Sequence, residues 1–362
     1  LNKSDKVIAQ EYHIAHKHFS GWRTMSLAIL VCLVLFIADL SVGSVSIPFT
    51  EVIKILTGDH STEATWEKIV LIIRLPKAIS AVLAGTALAI AGLQMQTLFH
   101  NPLAGPSVLG ITAGASLGVA VVMLTGGGAA SLYAIRELGI GGTWLVMLAS
   151  SAGAAMVMGL ILLISLRLRD NVSLLIIGIM IGNVTIAIVS IWQYFSSPEQ
   201  LQDYLLWTFG SLGGVTGRQL PVFITVTFIG LALTFLNSKS LNTLLLGENY
   251  ARSMGINIFR TRTMIILTSS ILAGAVTGFC GPIAFIGIAV PHLVRSMTRT
   301  SDHKVLIPLC WFVGTALMLI CDLIAQVPGS QIVLPINAIT ALVGSPVVVW
   351  VIIKNKNLKT AF

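Results

Sequence analysis

"RLPKAISAVLAGTALAIAGLQMQTL" (residues 74–98) decides how the chain is read. After two cations it holds no charged residue. It is long enough to cross a hydrocarbon core about 30 Å thick. Runs of this kind recur along the chain, of whose 362 residues 55% are hydrophobic and only 10% charged. Soluble domains carry roughly 25% charged residues. Ten runs read as spans: 24–42, 74–98, 107–125, 143–166, 172–195, 218–237, 263–283, 285–297, 305–326 and 333–353. The eighth is too short to cross alone and must be tilted or packed among its neighbours. The pattern predicts an all-α polytopic membrane protein. A transmembrane barrel would alternate apolar and polar residues in short segments, which this sequence does not do.

Three parts follow from the spans: a polar tail at 1–23, a ten-helix unit at 24–353 containing a charged loop at 238–262, and a tail at 354–362. No cleavable signal peptide is read, so the first span is expected to remain as an anchor. An even number of spans puts both termini on one side. Assigning that side to the cytoplasm leaves only Lys54, Lys68, Arg74, Lys77, Arg136 and Arg218 of the 22 basic residues outside, as the positive-inside rule requires. The net charge of +8 is thereby explained by topology, and no nucleic-acid partner is expected. The lipid bilayer is.

Small residues recur four apart: Gly110, Gly114 and Gly118, then Gly178 and Gly182, Gly210 and Gly214, and Gly274 and Gly278. Such faces allow close helix packing in lipid. A weak echo joins "SAVLAGTALAIAG" (80–92) to "SSILAGAVTGFCG" (269–281). The two segments would run in opposite directions, as in an inverted repeat.

Chemistry is sparse. Of the 14 acidic residues only Asp39 and Asp322 fall within spans, each near an outer end. The carboxylate relay usual in ion-driven carriers is therefore missing. No phosphate-cradling GxxxxGK[ST] loop occurs. "GASLG" (114–118) has the GxSxG spacing but lies in an apolar span, where a strand-to-helix elbow has no place. Cys32, Cys280, Cys310 and Cys321 sit in apolar segments without CxxC spacing and read as core residues. His13, His16 and His18 cluster only in the tail. No catalytic residue, metal site or bound cofactor is expected of this chain.

Two features stand out from this background. Asn183, Ala187, Ser190 and Tyr194 share one face of the fifth span, suiting either helix packing or a pore wall. "LLLGENYARSMGINIFRTR" (244–262) puts a short charged stretch with two glycines on the cytoplasmic side, where it can meet a soluble partner.

"RLPKAISAVLAGTALAIAGLQMQTLFHNPLAGPSVLGITAGASLG" (74–118), "GFCGPIAFIGIAVPHLVRSMTRTSDHKVLIP" (278–308) and "LPINAITALVGSPVVVWVI" (334–352) resemble the iron-chelate and cobalamin uptake permeases of the ABC importers, the FecCD/BtuC-like family. The resemblance implies a BtuC-like ten-helix subunit in the bacterial inner membrane. It would pair with a second copy of itself, with two cytoplasmic ATPase subunits that bind ATP and Mg, and with a periplasmic substrate-binding protein. It implies cargo of the metal-chelate class, ferric siderophore first and haem or cobalamin next. The family's coupling-loop pattern falls on Gly247, Glu248, Ala251, Met254 and Gly255, with Arg252 inside it. Its binding-protein docking arginines fall on Arg74 and Lys77. A third such arginine is Gln326 here. "RLRDNVSLL" (167–175) resembles the cytoplasmic gate, with Asn171 and Val172 at the constriction, and the stripe Asn183, Ala187, Ser190 and Tyr194 becomes pathway lining. Two rivals remain: a stand-alone secondary transporter, which needs a coupling-ion site, and an intramembrane enzyme, which needs a converging nucleophile and base.

Overall fold

The computed structural model describes residues 24–58, 63–124, 140–168, 170–215, 217–298, 300–327 and 332–354. The amino-terminal tail with His13, His16 and His18, the outer-loop Arg136 and residues 355–362 of the carboxy-terminal tail lie outside the described residues. Fourteen helices account for most of the described chain. They are α1 (Thr24–Ser41), α2 (Phe49–Thr57), α3 (Ala64–Phe99), α4 (Ile111–Leu124), α5 (Ile140–Ser165), α6 (Asn171–Phe195) and α7 (Pro198–Thr208). After them come α8 (Leu220–Leu236), α9 (Ser238–Leu244), α10 (Glu248–Ser253), α11 (Ile258–Cys280), α12 (Ile286–Thr298), α13 (His303–Ala325) and α14 (Ile336–Lys354). Among the described residues the only β-type pairing is an isolated antiparallel bridge between Gln326 and Val333.

Each of the ten sequence-read spans finds a helix. Six are long and apolar enough to cross a membrane alone, and α8 with α9 forms a seventh, bent by 54°. Of the remaining three, α4 and α12 have 14 and 13 residues, and α14 is apolar over Ile336–Trp350. The expected shortness of the eighth span is met by α12, which packs against α3, α13 and α14. Helix α2 is amphipathic: it buries Val52 and Ile55 against Leu40 of α1 and Val70 of α3, and leaves Phe49, Ile53 and Leu56 exposed.

The fold is organised around α3, which is buried without a break from Leu83 to Phe99. Only small residues allow neighbours that close. A Cβ on Gly85 would lie 2.3 Å from the Gly314 carbonyl of α13, and one on Gly92 only 1.7 Å from the Gly287 carbonyl of α12. Gly118 stands in the same relation to Ala149 of α5, at 1.9 Å. The glycines of "GASLG" therefore form a packing face. Several polar groups inside the bundle bond to one another, as a water-free interior favours. Gln94 Nε2 donates to the Thr234 hydroxyl at 2.8 Å, its Oε1 accepts from Thr268, and Thr86 meets Thr315 at 3.0 Å.

Helices α3 and α11, which carry the sequence echo, are antiparallel neighbours. Two of the glycine sets differ from the helical reading. Gly110 lies just before α4 with a left-handed φ of 74°, a corner that packs on Gly178 and Gly182. Gly210 and Gly214 lie in the loop after α7, Gly210 with φ 71°, because the chain turns there to bring Ser211 N to the Cys280 carbonyl.

Gly92→Ala is expected to cost about 1–3 kcal/mol or more through overpacking against backbone. Gly159→Ala, where an added Cβ meets nothing within 4 Å, should be neutral or slightly stabilising. Thermal unfolding of both variants in detergent, followed by tryptophan fluorescence, checks the contrast.

Candidate functional site

The two ends of the bundle, about 36 Å apart along α3 from Arg74 to Leu98, treat their charged residues in opposite ways.

At the first end the charges are enclosed. Arg74 is buried, with 7% exposure. Its Nη1 donates to the Leu40 carbonyl at 2.7 Å and the Ser41 carbonyl at 2.9 Å, and its Nη2 donates to the Val45 carbonyl. These oxygens belong to the end of α1 and the turn after it, which have no helical partners of their own. Lys77 keeps 15% of its side chain exposed and pairs with Asp322 Oδ2 at 3.0 Å. Gln326 Nε2 donates at 2.9 Å to Asp39 Oδ1 and at 2.9 Å to Asp322 Oδ2, joining the two intramembrane carboxylates. Both side chains make these bonds inside the chain, tying α1, α3 and α13 together. The sequence could not reveal this, because Arg74's acceptors are backbone oxygens about thirty residues upstream.

At the second end, residues 237–262 form a built structure. Helix α9 is pinned to the bundle. Its Asn242 Oδ1 accepts from the His303 amide at 2.8 Å, and its Nδ2 donates to Asp302 Oδ1 at 2.6 Å. The His303 ring, fully buried, lies 2.8 Å from Thr97 of α3. His100 takes a left-handed conformation just after α3 and donates from Nε2 to the Leu244 carbonyl at 3.0 Å. The chain then turns at Gly247 (φ 96°), runs through α10, and turns again at Gly255 (φ 81°). An added Cβ would meet no neighbour at either glycine, so backbone conformation is what requires them. Ala251 is fully buried under α10, while Leu246, Tyr250 and Met254 are more than half exposed. Tyr250 and Met254, four apart along α10 and its cap, share one face; Leu246 precedes the Gly247 turn, and Arg252 is exposed as well.

Glu248 links this loop to the sequence-read gate. Its Oε1 accepts from Asn171 Nδ2 at 2.7 Å and from Arg262 Nη2 at 3.1 Å. Asn171 Nδ2 also donates to the Leu98 carbonyl at the end of α3, at 3.0 Å, and Arg262 Nη1 donates to the Leu168 carbonyl at 2.9 Å. Asp170 caps α6 by accepting from the Ser173 amide at 2.8 Å. That bond and the Ser173 hydroxyl hold its carboxyl below the usual carboxylate range. Val172, next to Asn171, is 58% exposed. Coupling-loop and gate residues, read as separate features, thus touch. Sequence reasoning missed Arg262; the available signal was a cation in the first turn of an apolar helix, close in sequence to Glu248.

Asn183, Ala187, Ser190 and Tyr194 are all exposed on α6. They share this surface with the equally exposed Ile176, Met180 and Ile191, and the Ser190 hydroxyl is turned back onto the Ile186 carbonyl. The stripe is therefore mixed in polarity. Among the described residues no group of His, Cys, Asp and Glu is arranged to hold a metal ion.

A polytopic helical bundle with one enclosed and one open charged end is the architecture of a membrane permease. The model of the FecCD transport family matches residues 30–354, and the chain belongs to that family. It is a multi-pass membrane permease of the ABC-importer type, a transport component rather than an enzyme. It is similar to the vitamin B12 import system permease protein BtuC of Klebsiella pneumoniae, at 34% identity over 284 residues, covering 78% of this chain and 82% of that protein. The corresponding protein of an Escherichia coli O17 strain is 33% identical over 297 residues, covering 82% and 87%. A solved structure described as an inward-facing metal-chelate type ABC transporter superposes with a TM-score of 0.79. It has 24% identity and covers 92% of this chain and 99% of that one, which shows the shared fold.

Lys77→Met is expected to destabilise the bundle by about 3–5 kcal/mol, because it leaves buried carboxylate charge without its partner. Adding Asp322→Asn should recover part of the loss. Unfolding midpoints of the two variants and their parent decide the point.

Proposed function

We propose that this chain is the membrane-spanning half of an ATP-driven importer that carries a metal chelate into the cytoplasm. On this reading the α10 end and both termini face the cytoplasm, and the Arg74 end faces the periplasm. Two copies pair, with the exposed stripe of α6 lining the route between them. Two separate ATPase subunits seat on the α10 ends, bringing their own ATP and Mg. A periplasmic binding protein delivers cargo to the opposite end. Arg74 and Lys77 are the docking cations that the family pattern assigns to that end, and the exposed Lys68 and Arg218 add positive charge there to steer an acidic partner.

The observation that carries the reading is the α10 end. Apolar side chains at Leu246, Tyr250 and Met254 stand exposed on a loop held from beneath by buried Ala251 and the anchored α9. A membrane protein gains nothing by offering such side chains to water, whereas a cleft on a soluble subunit would bury them. The cargo follows from chemistry and kinship together. An exposed α6 face of mixed polarity, without fixed charges, suits a bulky chelate whose charge is already masked. The similarity to vitamin B12 permeases counts in favour of cobalamin, with ferric siderophore and haem as the other candidates of that class.

Met254→Asp and Tyr250→Asp, on exposed positions, should leave folding intact and abolish co-purification of an ATPase with the tagged chain from its native membranes. An ATPase retained by both variants, or absent from the unmodified chain purified intact, would contradict the reading.

A further inference from the structure

We propose that α2 is an interfacial helix lying in the membrane leaflet at the Arg74 end, with its exposed apolar side chains seated among lipid acyl chains. The inference goes beyond the importer reading and needs only that the chain spans a bilayer. At about 3.6 residues per turn, the nine residues of α2 fall into three unbroken arcs. Val52 and Ile55 face the bundle, buried against Leu40 and Val70. Next around the helix come Phe49, Ile53 and Leu56, all exposed. The third arc holds Thr50, Glu51, Lys54 and Thr57, with Lys54 paired to Glu51 at 2.8 Å. The order is bundle, apolar, polar, about a third of a turn each. A helix with protein beside it, acyl chains beneath and water above requires that order.

The surroundings of α2 favour lipid as the occupant of the apolar arc. Of the six long helices α1 is the least enclosed, with Leu27, Leu30, Leu33 and Val34 exposed, so α2 packs on the helix most open to lipid. The same sequence of polarity recurs at the start of α3, where Thr65, Lys68, Ile69, Ile72 and Ile73 line a shallow groove. Lys68 lies about 6 Å farther out along α3 than Ile72. A cation thus stands at headgroup level above side chains suited to an acyl chain, its own stem bridging the two. A soluble partner arriving from water would meet the polar arc of α2 first. The attitude of α2 is fixed as well. Arg74 donates to the Leu40, Ser41 and Val45 carbonyls of the turn that leads to it, and the Ile47 amide donates to the Ser41 carbonyl at 3.2 Å. So short a helix is marginal in water by itself; here the bundle holds one arc and the leaflet the next.

The test uses the full chain with its ATPase in nanodiscs of phosphatidylcholine and phosphatidylglycerol. The four native cysteines, all buried, are replaced. Single spin labels are placed at Phe49→Cys, Ile53→Cys and Leu56→Cys, and at Thr50→Cys and Lys54→Cys on the polar arc. Collision with oxygen, which concentrates in acyl chains, is compared with collision with a water-soluble nickel chelate. The expected ratio of oxygen to nickel accessibility is several-fold higher at the first three positions than at the last two. Adding Ile53→Asp to Leu56→Cys should lift the helix and raise nickel accessibility at that label several-fold. Equal nickel accessibility on both arcs would place α2 in water and overturn the proposal. Labels at 49, 53 and 56 shielded from both reagents would overturn it too, by showing a protein cover; broadening between the labels of two copies would identify that cover as a second chain. Three independent apolar positions leave the question decidable if one variant fails to assemble.

Discussion

Backbone-to-backbone contact around α3 is the constraint on which the rest of the molecule depends. A helix enclosed by protein on every side cannot carry large side chains at its crossings, so Gly85 and Gly92 lie against Gly314 and Gly287 at distances that exclude a methyl group. Lipid provides no hydrophobic drive between helices, and close packing with internal hydrogen bonds supplies the association instead. Gln94, Thr234 and Thr268 act in this way across α3, α8 and α11. What results is a stiff central post. Both charged ends of the protein are built on it: Arg74 and Lys77 lie in its first half, while Leu98 and His100 anchor the opposite loop.

Those ends obey the same electrostatic rule with different outcomes. Charge within a membrane bundle must be paired or brought to water. At the Arg74 end it is paired, with Asp39, Asp322, Lys77 and Gln326 in one enclosed network and Arg74 saturated by carbonyls. Rigidity is the consequence, since three helices are held at one point. At the α10 end the ion pair between Glu248 and Arg262 lies at the boundary with water, with 26% of the Glu248 side chain exposed. Bonds there form and part at lower cost.

The ten apolar segments were legible in the sequence because lipid imposes a length and a composition that no neighbour can override. The glycines of the 244–262 loop were legible for a similar reason: a left-handed backbone demands them locally. Position in space was harder to read. That Arg74 would be buried depended on carbonyls about thirty residues away, and that Gln326 would bridge two carboxylates depended on three helices meeting. Arg262 looked like one more cytoplasmic cation among several, since its partners are a carbonyl on one loop and a carboxylate on another. Spacing also misled at Gly210 and Gly214, where a four-residue interval fell in a loop. Periodicity reports a helix face only where a helix exists.

The measurement that tests the account most directly is uptake into proteoliposomes. The chain is reconstituted with and without its ATPase and supplied with labelled cobalamin or ferric siderophore on the delivering protein. The account predicts accumulation of one chelate that requires both the ATPase and ATP and is indifferent to imposed proton or sodium gradients. Accumulation by the chain alone, driven by such a gradient, would contradict it.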